Sequence, residues 1–575
     1  MVDLAQIASS GLCIAEMRHI PVVKAFADRI DLVGTINRLM PCDAAVDPGT
    51  MTLAMVEDIL CGRHPLYRIR SSFEKTDVEL ALGKPVDLDY FSDNNFGRHL
   101  DRIHKAGTSA LLSALSFNAL RAFDLPHRHV HFDTTSVSVY GEYEPSEGDT
   151  EPTLKITHGF SKDHRPDLKQ FMVSLLCAGG TVPIFSKVED GNASDKKLNN
   201  ALLSTISQKI AGVGIKPEGL IYIADSAMVT EDNLKAVDNK TLFITRLPAT
   251  FAEHDRAIRK AVENNTWSDY GALAQTPTPS TRPPAHYRGF ETTVTLYATS
   301  YRAIVVHSSA HDKRRQKKLK RAMEKERASW EKRLAQLSKQ FFYCRADAQA
   351  AADQLLRESR VYHEVEVSIA ERPRYARGRP KGNGTRNIRQ MRYVLTATLR
   401  ERAEAVARAR EEAGCFVLIS NVPAQGPPEA QSPYDGKALL LAYKDQHGVE
   451  RNFGFLKDPA IVNAIFLKRS ERIEALGFLL VVSLLLWRLI ESQMRRYVTQ
   501  TRMPLPGWDN KPTMRPTSFM MSTKLDAISV LRLGEQRVLA RPLSEVQHAY
   551  LRALGLSVSI FTQPRLSSAC LPCGP

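Results

Sequence analysis

The chain has 575 residues, which is too long for one small domain and predicts three or four structural units. Lys and Arg number 78 against 63 Asp and Glu, giving a net charge of +15 and a pI near 9.3. This excess indicates a polyanionic partner, a nucleic acid or an anionic membrane, with a simply basic soluble protein as an even alternative. The eight cysteines lack the spacing of a disulfide framework, which argues against a secreted scaffold and fits a reducing cytoplasm.

Residues 1–125 are predicted to form a compact N-terminal helical domain. Apolar residues recur at three- and four-residue steps in segments 22–40 and 98–123. Pro- and Gly-containing turn signals separate these segments. The first residues lack the charged start and long apolar core of a signal peptide.

Residues 126–250 are predicted to form the first part of an α/β core. Segments 129–141, 219–225 and 241–247 have the β-branched, apolar composition of buried strands, and 171–191 is typical of a hairpin that turns at Gly179-Gly180. Helical stretches lie between them. Strands followed by helices predict a mixed sheet flanked by helices.

Residues 251–413 interrupt this pattern and are interpreted as an α+β insertion domain. Paired strands are expected within 291–309, a highly charged helix from Asp312 to about Glu358, and a strand at 363–369 before a basic loop. A strand beginning at Cys415 then resumes the core, whose second part is 414–500.

The apolar run 477–487 is too short to span a bilayer and is flanked by charges, so it is interpreted as a buried core helix. Residues 501–575 are expected to form an extended C-terminal tail with one late helix. Cys570 and Cys573 form a lone C-x-x-C near the end, without a second pair or a histidine cluster, and zinc binding is not expected there.

Three separated acidic residues are the strongest candidates for a catalytic site. Asp133 lies within a predicted central strand, Asp225 ends another, and Glu450 lies on a stretch with helical spacing. A buried charged aspartate needs a cation or hydrogen bonds, and sheet strands of α/β proteins end at their functional sites. Turn or helix-cap roles remain the alternatives for both aspartates. Three such carboxylates can hold two divalent cations about 4 Å apart for attack on a phosphodiester.

Tyr443, Gln446, Glu450 and Lys457 are spaced by three, four and seven positions. These steps predict one face of one helix. Such a face can combine a metal ligand with phosphate contacts, and a solvated amphipathic face is the alternative.

These residues resemble the signature of DDE transposases of bacterial insertion sequences. That signature is tyrosine, arginine, glutamate and lysine with two, three and six residues between its members, a spacing that this sequence keeps with Gln446 in place of the arginine. Segments 158–171, 191–195 and 466–491 are also similar to this group. The resemblance implies an RNase H-like fold with a large insertion before Glu450. Glutamine cannot give the bidentate, charged phosphate contact of arginine.

The resemblance implies that Asp133, Asp225 and Glu450 are catalytic and hold two Mg²⁺ ions, for which Mn²⁺ can substitute. It further implies that double-stranded DNA, as terminal inverted repeats and as target, is the partner and that a homodimer pairs two element ends. No membrane association is expected, and the expected location is the bacterial cytoplasm, at the nucleoid. Tyr443, Gln446 and Lys457 are expected to contact DNA, and the N-terminal helical domain to recognise the inverted repeats.

Further DNA contacts are expected from the insertion. Arg377 and Arg379 flank a glycine in a sequence similar to a minor-groove hook, with a basic surface loop as the alternative. Trp267 is a candidate for stacking on a flipped base, with simple packing as its alternative. The basic run 311–327 either lies along DNA or forms a solvated helix face.

Two other functions remain open. One is a transposase relic that only binds DNA, an interpretation that the glutamine at position 446 keeps open. The other is a nuclease of the same fold that cuts without joining. A serine or tyrosine recombinase is disfavoured because no nucleophile lies in a recognisable basic cluster.

Overall fold

The computed structural model describes residues 12–62, 64–141, 143, 154–161, 165–179, 181–203, 220–237, 241–273, 284–309, 312–358, 360–377, 386–425, 433–458 and 467–564. They belong to two compact units. The first comprises the described parts of Met1–Thr245, Asn421–Asp435 and Leu439–Pro575. The second comprises those of Arg246–Ser420 and Gly436–Ala438.

The N-terminal segment is mostly helical, as predicted. After the short strand β1 (Cys13–Glu16), the helices are α1 (Ile20–Arg29), α2 (Leu32–Leu39), α3 (Pro48–Glu57), α4 (Ile69–Phe73), α5 (Val78–Leu82), α6 (Asp93–Ala106) and α7 (Thr108–Phe123). Asp47 begins α3 by accepting a hydrogen bond from Thr50 N, with Pro48 in the first turn. Ser92 caps α6 in the same way through Asn95 N.

Five strands of a mixed sheet follow, flanked by helices. Its elements are β2 (His129–Val139), β3 (Lys169–Ala178), β4 (Val182–Glu189), α8 (Asp195–Leu203), β5 (Ile221–Ala224), α9 (Glu231–Val237) and β6 (Leu242–Arg246). The strand order is β4-β3-β2-β5-β6. The first three strands are antiparallel, whereas β2, β5 and β6 are parallel. The predicted hairpin and the mixed α/β class are confirmed.

The second unit contains four sheet strands and a separate two-stranded ribbon. Its elements are α10 (Ala252–Asn264), β7 (Ser268–Ala272), β8 (His286–Leu296), β9 (Thr299–Ser308), α11 (Asp312–Leu337), α12 (Arg345–Arg357), β10 (His363–Tyr375), β11 (Ile388–Glu401), α13 (Ala403–Ala413) and β12 (Cys415–Ser420). The sheet order is β12-β9-β8-β7, and β10 pairs with β11 alone. The single charged helix expected from Asp312 to Glu358 is instead the two helices α11 and α12.

From Leu439 the last part of the chain returns to the first unit, and it is packed rather than extended. Its elements are α14 (Gly436–Lys444), α15 (His447–Lys457), α16 (Ser470–Thr501), β13 (Leu505–Pro506), β14 (Pro512–Thr513), α17 (Ser518–Leu525), β15 (Ser529–Leu533), β16 (Gln536–Leu539) and α18 (Glu545–Leu554). Tyr550, Leu551 and Leu554 are buried. β15 pairs with β1, near the start of the described chain. Residues 503–564 therefore differ from the expected tail, and Cys570 and Cys573 lie outside the described residues.

The 32-residue helix α16 contacts many of the other elements of the first unit. By length and composition it could cross a membrane, but most of its apolar stretch is buried inside the protein. It packs against α3, α6, α7 and β4. The prediction of a buried core helix around 477–487 is confirmed.

Two buried histidines of this unit predict an acid-sensitive fold. Burial lowers the pKa of both His99 and His131 to about 3. The unfolded imidazole has an ordinary pKa of about 6.5. As the pH falls from 6.5 towards 3, these histidines are therefore protonated in the unfolded chain but not in the folded chain, which stabilises the unfolded state. At pH 5 each histidine should therefore lower the free energy of unfolding by about 2 kcal/mol relative to pH 7.

The measurement is urea unfolding at pH 7 and pH 5 for the wild type and for His99→Gln. The variant should lose about 2 kcal/mol less between these pH values than the wild type. His127→Gln, at an exposed position, is the control and should keep the wild-type pH dependence. Equal pH dependence in His99→Gln and the wild type would contradict the prediction.

Candidate catalytic site

Asp133 lies in the middle of the sheet. It belongs to the central strand β2, where it is half-buried and paired with Leu175 of β3. One carboxylate oxygen, Oδ1, accepts a hydrogen bond of 2.7 Å from Thr134 N. A carboxylate that is half-buried in a central strand needs polar or cationic partners.

Asp225 directly follows β5, the neighbour of β2. Its backbone is still extended, with φ −73° and ψ −178°. Its carboxylate accepts a hydrogen bond of 3.0 Å from Ala227 N, and Thr245 Oγ1 donates to its carbonyl at 2.7 Å. The alternative prediction for Asp225, that it caps the following helix, is therefore confirmed. The cap uses one of its two carboxylate oxygens.

The strand register brings the two aspartates side by side. β2 and β5 run parallel, with His129 opposite Ile221 and His131 opposite Ile223. The paired residues end there, and the same register continued by two residues would place Asp133 opposite Asp225. Neighbours in register project from the same face of a sheet, so both carboxylates belong to one face.

The opposite face supports this assignment. Phe132 and Tyr222, one position before Asp133 and Ile223 on their strands, stack on each other with ring centroids 6.2 Å apart. Burial raises the pKa of Tyr222 well above its usual value, and the negative charges of Asp225 and Asp133 raise it further. The Tyr222 phenol therefore interacts electrostatically with both carboxylates, although its side chain lies on the other face of the sheet.

The helix that carries Glu450 lies on the aspartate face. α15 packs against β2. Asn452 Nδ2 donates to Cys177 Sγ at 3.3 Å, and Cys177 is opposite His131 in the β2–β3 register. Since His131 and Asp133 alternate onto the same face, α15 covers the side of the sheet from which Asp133 projects.

A buried polar network holds α15 in this place. Arg488 of α16 donates through Nε to Asn452 Oδ1 at 2.7 Å and through Nη2 to Arg451 O at 3.0 Å. Glu491 accepts from Arg488 at 3.2 Å and pairs with Arg495 at 2.7 Å. Groups this buried are costly to leave unpaired, so the network fixes the helix orientation.

Glu450 itself is exposed in the first turn of α15. Val449, Asn452, Phe453 and Leu456 form the buried stripe of this helix, and Glu450 lies outside it. The positive end of the helix dipole stabilises a carboxylate in the first turn. The side chain is therefore accessible to a polyanion and a cation that approach the helix.

The three carboxylates do not form a closed metal cage. Within the described residues, no group of three or more His, Cys, Asp or Glu side chains is placed to hold a metal ion. Asp133 lies on β2 and Asp225 directly follows the neighbouring parallel strand β5, and Glu450 lies on the helix that packs against β2. Their donor chemistry, carboxylate oxygen alone, fits Mg²⁺, which takes one or two carboxylates and keeps several waters.

The expected single helical face is wrong. Tyr443 belongs to α14, whereas Glu450 and Lys457 belong to α15. Gln446 lies between the helices, where Gln446 N, Gly448 N and Val449 N each donate to the carbonyl three residues earlier. Such bonds give a tighter turn than an α-helix, so the angular spacing that joined the four residues is not kept.

Sequence reasoning missed the role of Asp195. Thr134 Oγ1, next to the first catalytic candidate, donates to Asp195 Oδ1 at 2.5 Å. Asp195 begins α8, whose Asn199 accepts from Tyr222 OH at 2.9 Å. These bonds fix the β2 backbone from the opposite face. The only signal in the sequence was the similarity of segment 191–195 to the DDE transposases, and that similarity does not assign a role to Asp195.

The DNA-contact candidates of the insertion are separate features of the second unit. Trp267 is half-buried, with its ring against Phe290 and His307 and the Arg288 guanidinium 4.8 Å from its centroid. These contacts favour its packing role. Arg377 is exposed just after β10, and Arg379 lies outside the described residues.

Residues 12–117, within the N-terminal helices, match a family model described as a domain of unknown function (DUF4277). The match covers less than a fifth of the chain. A comparison with curated proteins finds no match. The likeness therefore concerns the helical segment and carries no activity.

Proposed function

We propose that the protein is a DDE-type DNA transposase that cuts and joins the ends of its own insertion sequence. The observation that carries this proposal is the parallel pairing of β2, which contains Asp133, with β5, which Asp225 directly follows, together with the packing of the Glu450 helix against β2. Carboxylates gathered from distant segments at one face of a mixed sheet are suited to two-metal phosphodiester chemistry.

The architecture supports an RNase H-like core within this proposal. An antiparallel meander, β2 to β4, leads into two strands parallel to β2, with helices α8 and α15 on opposite faces. The second unit lies in sequence between the strand that precedes Asp225 and the helix that carries Glu450. That position is the one expected for the insertion domain.

In the proposed mechanism, two Mg²⁺ ions, or Mn²⁺ in their place, would supply Lewis acidity for water attack and stabilise the attacking and leaving oxygens. Asp133 and Asp225 hold fixed oxygens because hydrogen bonds to Thr134 N and Ala227 N orient them. Glu450 would be the third carboxylate ligand of these ions. The freed 3′-hydroxyl of the element end then attacks a target phosphodiester.

The remaining chain residues act on DNA binding in this proposal. Tyr443, Gln446 and Lys457 contact phosphates at the cut end, and the N-terminal helices recognise inverted repeats. A homodimer pairs the two ends in the bacterial cytoplasm, at the nucleoid. Lys457 ends α15 and is partly exposed, so its ammonium can reach a phosphate near Glu450.

The experiment is a cleavage and joining assay with labelled element-end DNA, with and without Mg²⁺. Wild-type protein should nick the end and transfer it to a target only with the metal. Glu450→Gln should lower both rates by about 10²–10³-fold, because a neutral amide replaces a charged ligand. Glu404→Gln, also an exposed glutamate in the first turn of a helix, is the matched control and should cut normally.

A second candidate, a relic that only binds DNA, is favoured by Gln446 and by the absence of a closed three-carboxylate group among the described side chains. It predicts end-specific binding with no cutting by wild type or variant in Mg²⁺ or Mn²⁺. Gln446→Arg then becomes the informative variant, since restored cutting would assign the defect to the missing phosphate contact. Cutting without joining and without end preference would instead indicate a nuclease.

A further inference from the structure

The β10–β11 ribbon of the second unit has two unlike halves. Near its base, Val365 packs with Trp330, Leu334 and Leu355 in one apolar cluster. Leu395 packs with Ala348 and Ala352 in a second cluster. Helices α11 and α12 thus support the base of the ribbon.

The far end, which we call the distal ribbon, comprises residues 372–377 and 386–392. Most of its residues are exposed, and they are exposed on both faces: Arg374 and Gln390 on one, Tyr375 and Ile388 on the other. Tyr375 is 46% and Ile388 55% exposed. A two-stranded ribbon with no supporting element is only marginally stable in water. A ribbon end that is exposed on both faces is therefore unusual unless another molecule binds to it.

The distal ribbon carries only positive charge. Its sequence holds six arginines and no acidic residue. None of these arginines forms an ion pair with a described carboxylate. At the base of the ribbon, by contrast, Arg400 pairs with Glu366 at 2.8 Å. The ribbon arginines that form no ion pair therefore lie at this end.

The strand register places three of the six arginines on one face. Arg372 is directly opposite Arg392, and Arg374 is opposite Gln390. Like charges directly opposite each other destabilise a strand pair. The Arg392 guanidinium lies 4.9 Å from the Phe341 ring centroid, which leaves the charges of Arg372 and Arg374 to be neutralised from outside.

A register shift between Arg374 and Tyr375 bends the ribbon at this point. Tyr375 pairs with Ile388, so Arg389 is the extra residue of a bulge. A bulge increases the local twist and re-aims the side chains around it. The other face presents Pro373, Met391, Tyr375 and Ile388, which is an apolar edge rather than a second basic surface.

We propose that the distal ribbon is a docking surface for double-stranded DNA, with its arginine face toward the phosphates. A two-stranded ribbon fits the major groove of B-form DNA, and arginine gives bidentate phosphate contacts. The inference deepens the proposed function, on which it rests for the choice of DNA as the polyanion. Neutralisation by phosphates removes the repulsion between the facing arginines and releases counterions.

The test measures binding of the full-length protein to a labelled DNA duplex of mixed sequence over a range of salt concentrations. Divalent cations are left out, so that cleavage plays no part and its failure does not affect the result. Arg372→Gln/Arg374→Gln should reduce the slope of log affinity against log salt by about two, one for each lost phosphate contact. Arg400→Gln, on the same ribbon but paired with Glu366, should keep the wild-type slope.

Circular dichroism confirms that each variant is folded before it is compared. A wild-type slope in the double variant, or equal loss in Arg400→Gln, overturns the docking surface. So does poly-glutamate that binds the wild type more tightly than the duplex does and binds the double variant more weakly, since the surface would then be an acidic-peptide site. Loss of slope in the double variant alone supports the surface even if no variant, nor the wild type, cuts DNA.

Discussion

Asp133→Asn and Asp225→Asn are each expected to lower metal-dependent cleavage by about 10³-fold while leaving duplex binding nearly unchanged. Asparagine keeps the size of the side chain and one acceptor oxygen, so the bonds from Thr134 N and Ala227 N can persist. The negative charge that holds a divalent cation is lost. Because the two aspartates are neighbours in register, either loss should disable the same site.

The measurement is single-turnover cleavage of labelled end DNA in Mg²⁺ and in Mn²⁺, with duplex binding measured separately. Asp232→Asn, an exposed aspartate in the first turn of α9, is the matched control. Wild-type cleavage by either site variant would remove that aspartate from the proposed metal site. Parallel loss of cleavage and binding would point to a structural role instead.

Arg537→Met is expected to lower the free energy of unfolding of the first unit by about 3–5 kcal/mol. Arg537 Nε lies 2.8 Å from Asp77 Oδ2 and Arg537 Nη2 lies 2.6 Å from Glu79 Oε2. The Asp77 side chain is fully buried and that of Arg537 is 3% exposed. Removing the guanidinium leaves a buried carboxylate whose best partner is gone.

Arg532 provides an internal control for this prediction. It lies on the partner strand β15 and faces the same two carboxylates, at 3.6 and 3.8 Å, with 37% of its side chain exposed. Arg532→Met should therefore cost less than about 1 kcal/mol. Urea unfolding followed by tryptophan fluorescence compares the two, with Trp487 and Trp508 as reporters in this unit. Equal losses in both variants would show that burial does not set the strength of these pairs.

The sequence patterns predicted the local elements of the core well. Alternation and apolar runs identified β2, the β3–β4 hairpin and β5, and with them the strand positions of Asp133 and Asp225. These features depend on residues within a few positions of each other, where side-chain periodicity carries the information. The parallel pairing of β2 with β5 joins residues that are far apart in the sequence. It could not be predicted from local patterns, and only the structure gives its register.

The site helix was predicted less well, for a physical reason. Spacing at three and four residues is shared by one long helix and by two helices joined through a tight turn. The bonds from Gln446 N and Gly448 N to carbonyls three residues earlier decide between them. Likewise, the hydrogen bond from Arg488 to Asn452 joins two helices through a buried network. The sequence does not predict this pair, because an arginine or an asparagine alone does not indicate which residue it will contact.

The pairing of β1 with β15 has a consequence for synthesis on the ribosome. Ala15 meets Val530 in this pair, so the first strand must wait for nearly the whole chain before its partner exists. At about 5–20 residues per second, this wait lasts roughly 25–100 s. Until then β1 is an open strand edge, and Asp77 lacks Arg537. A product truncated before β15 would keep both defects, which would favour its degradation over its accumulation.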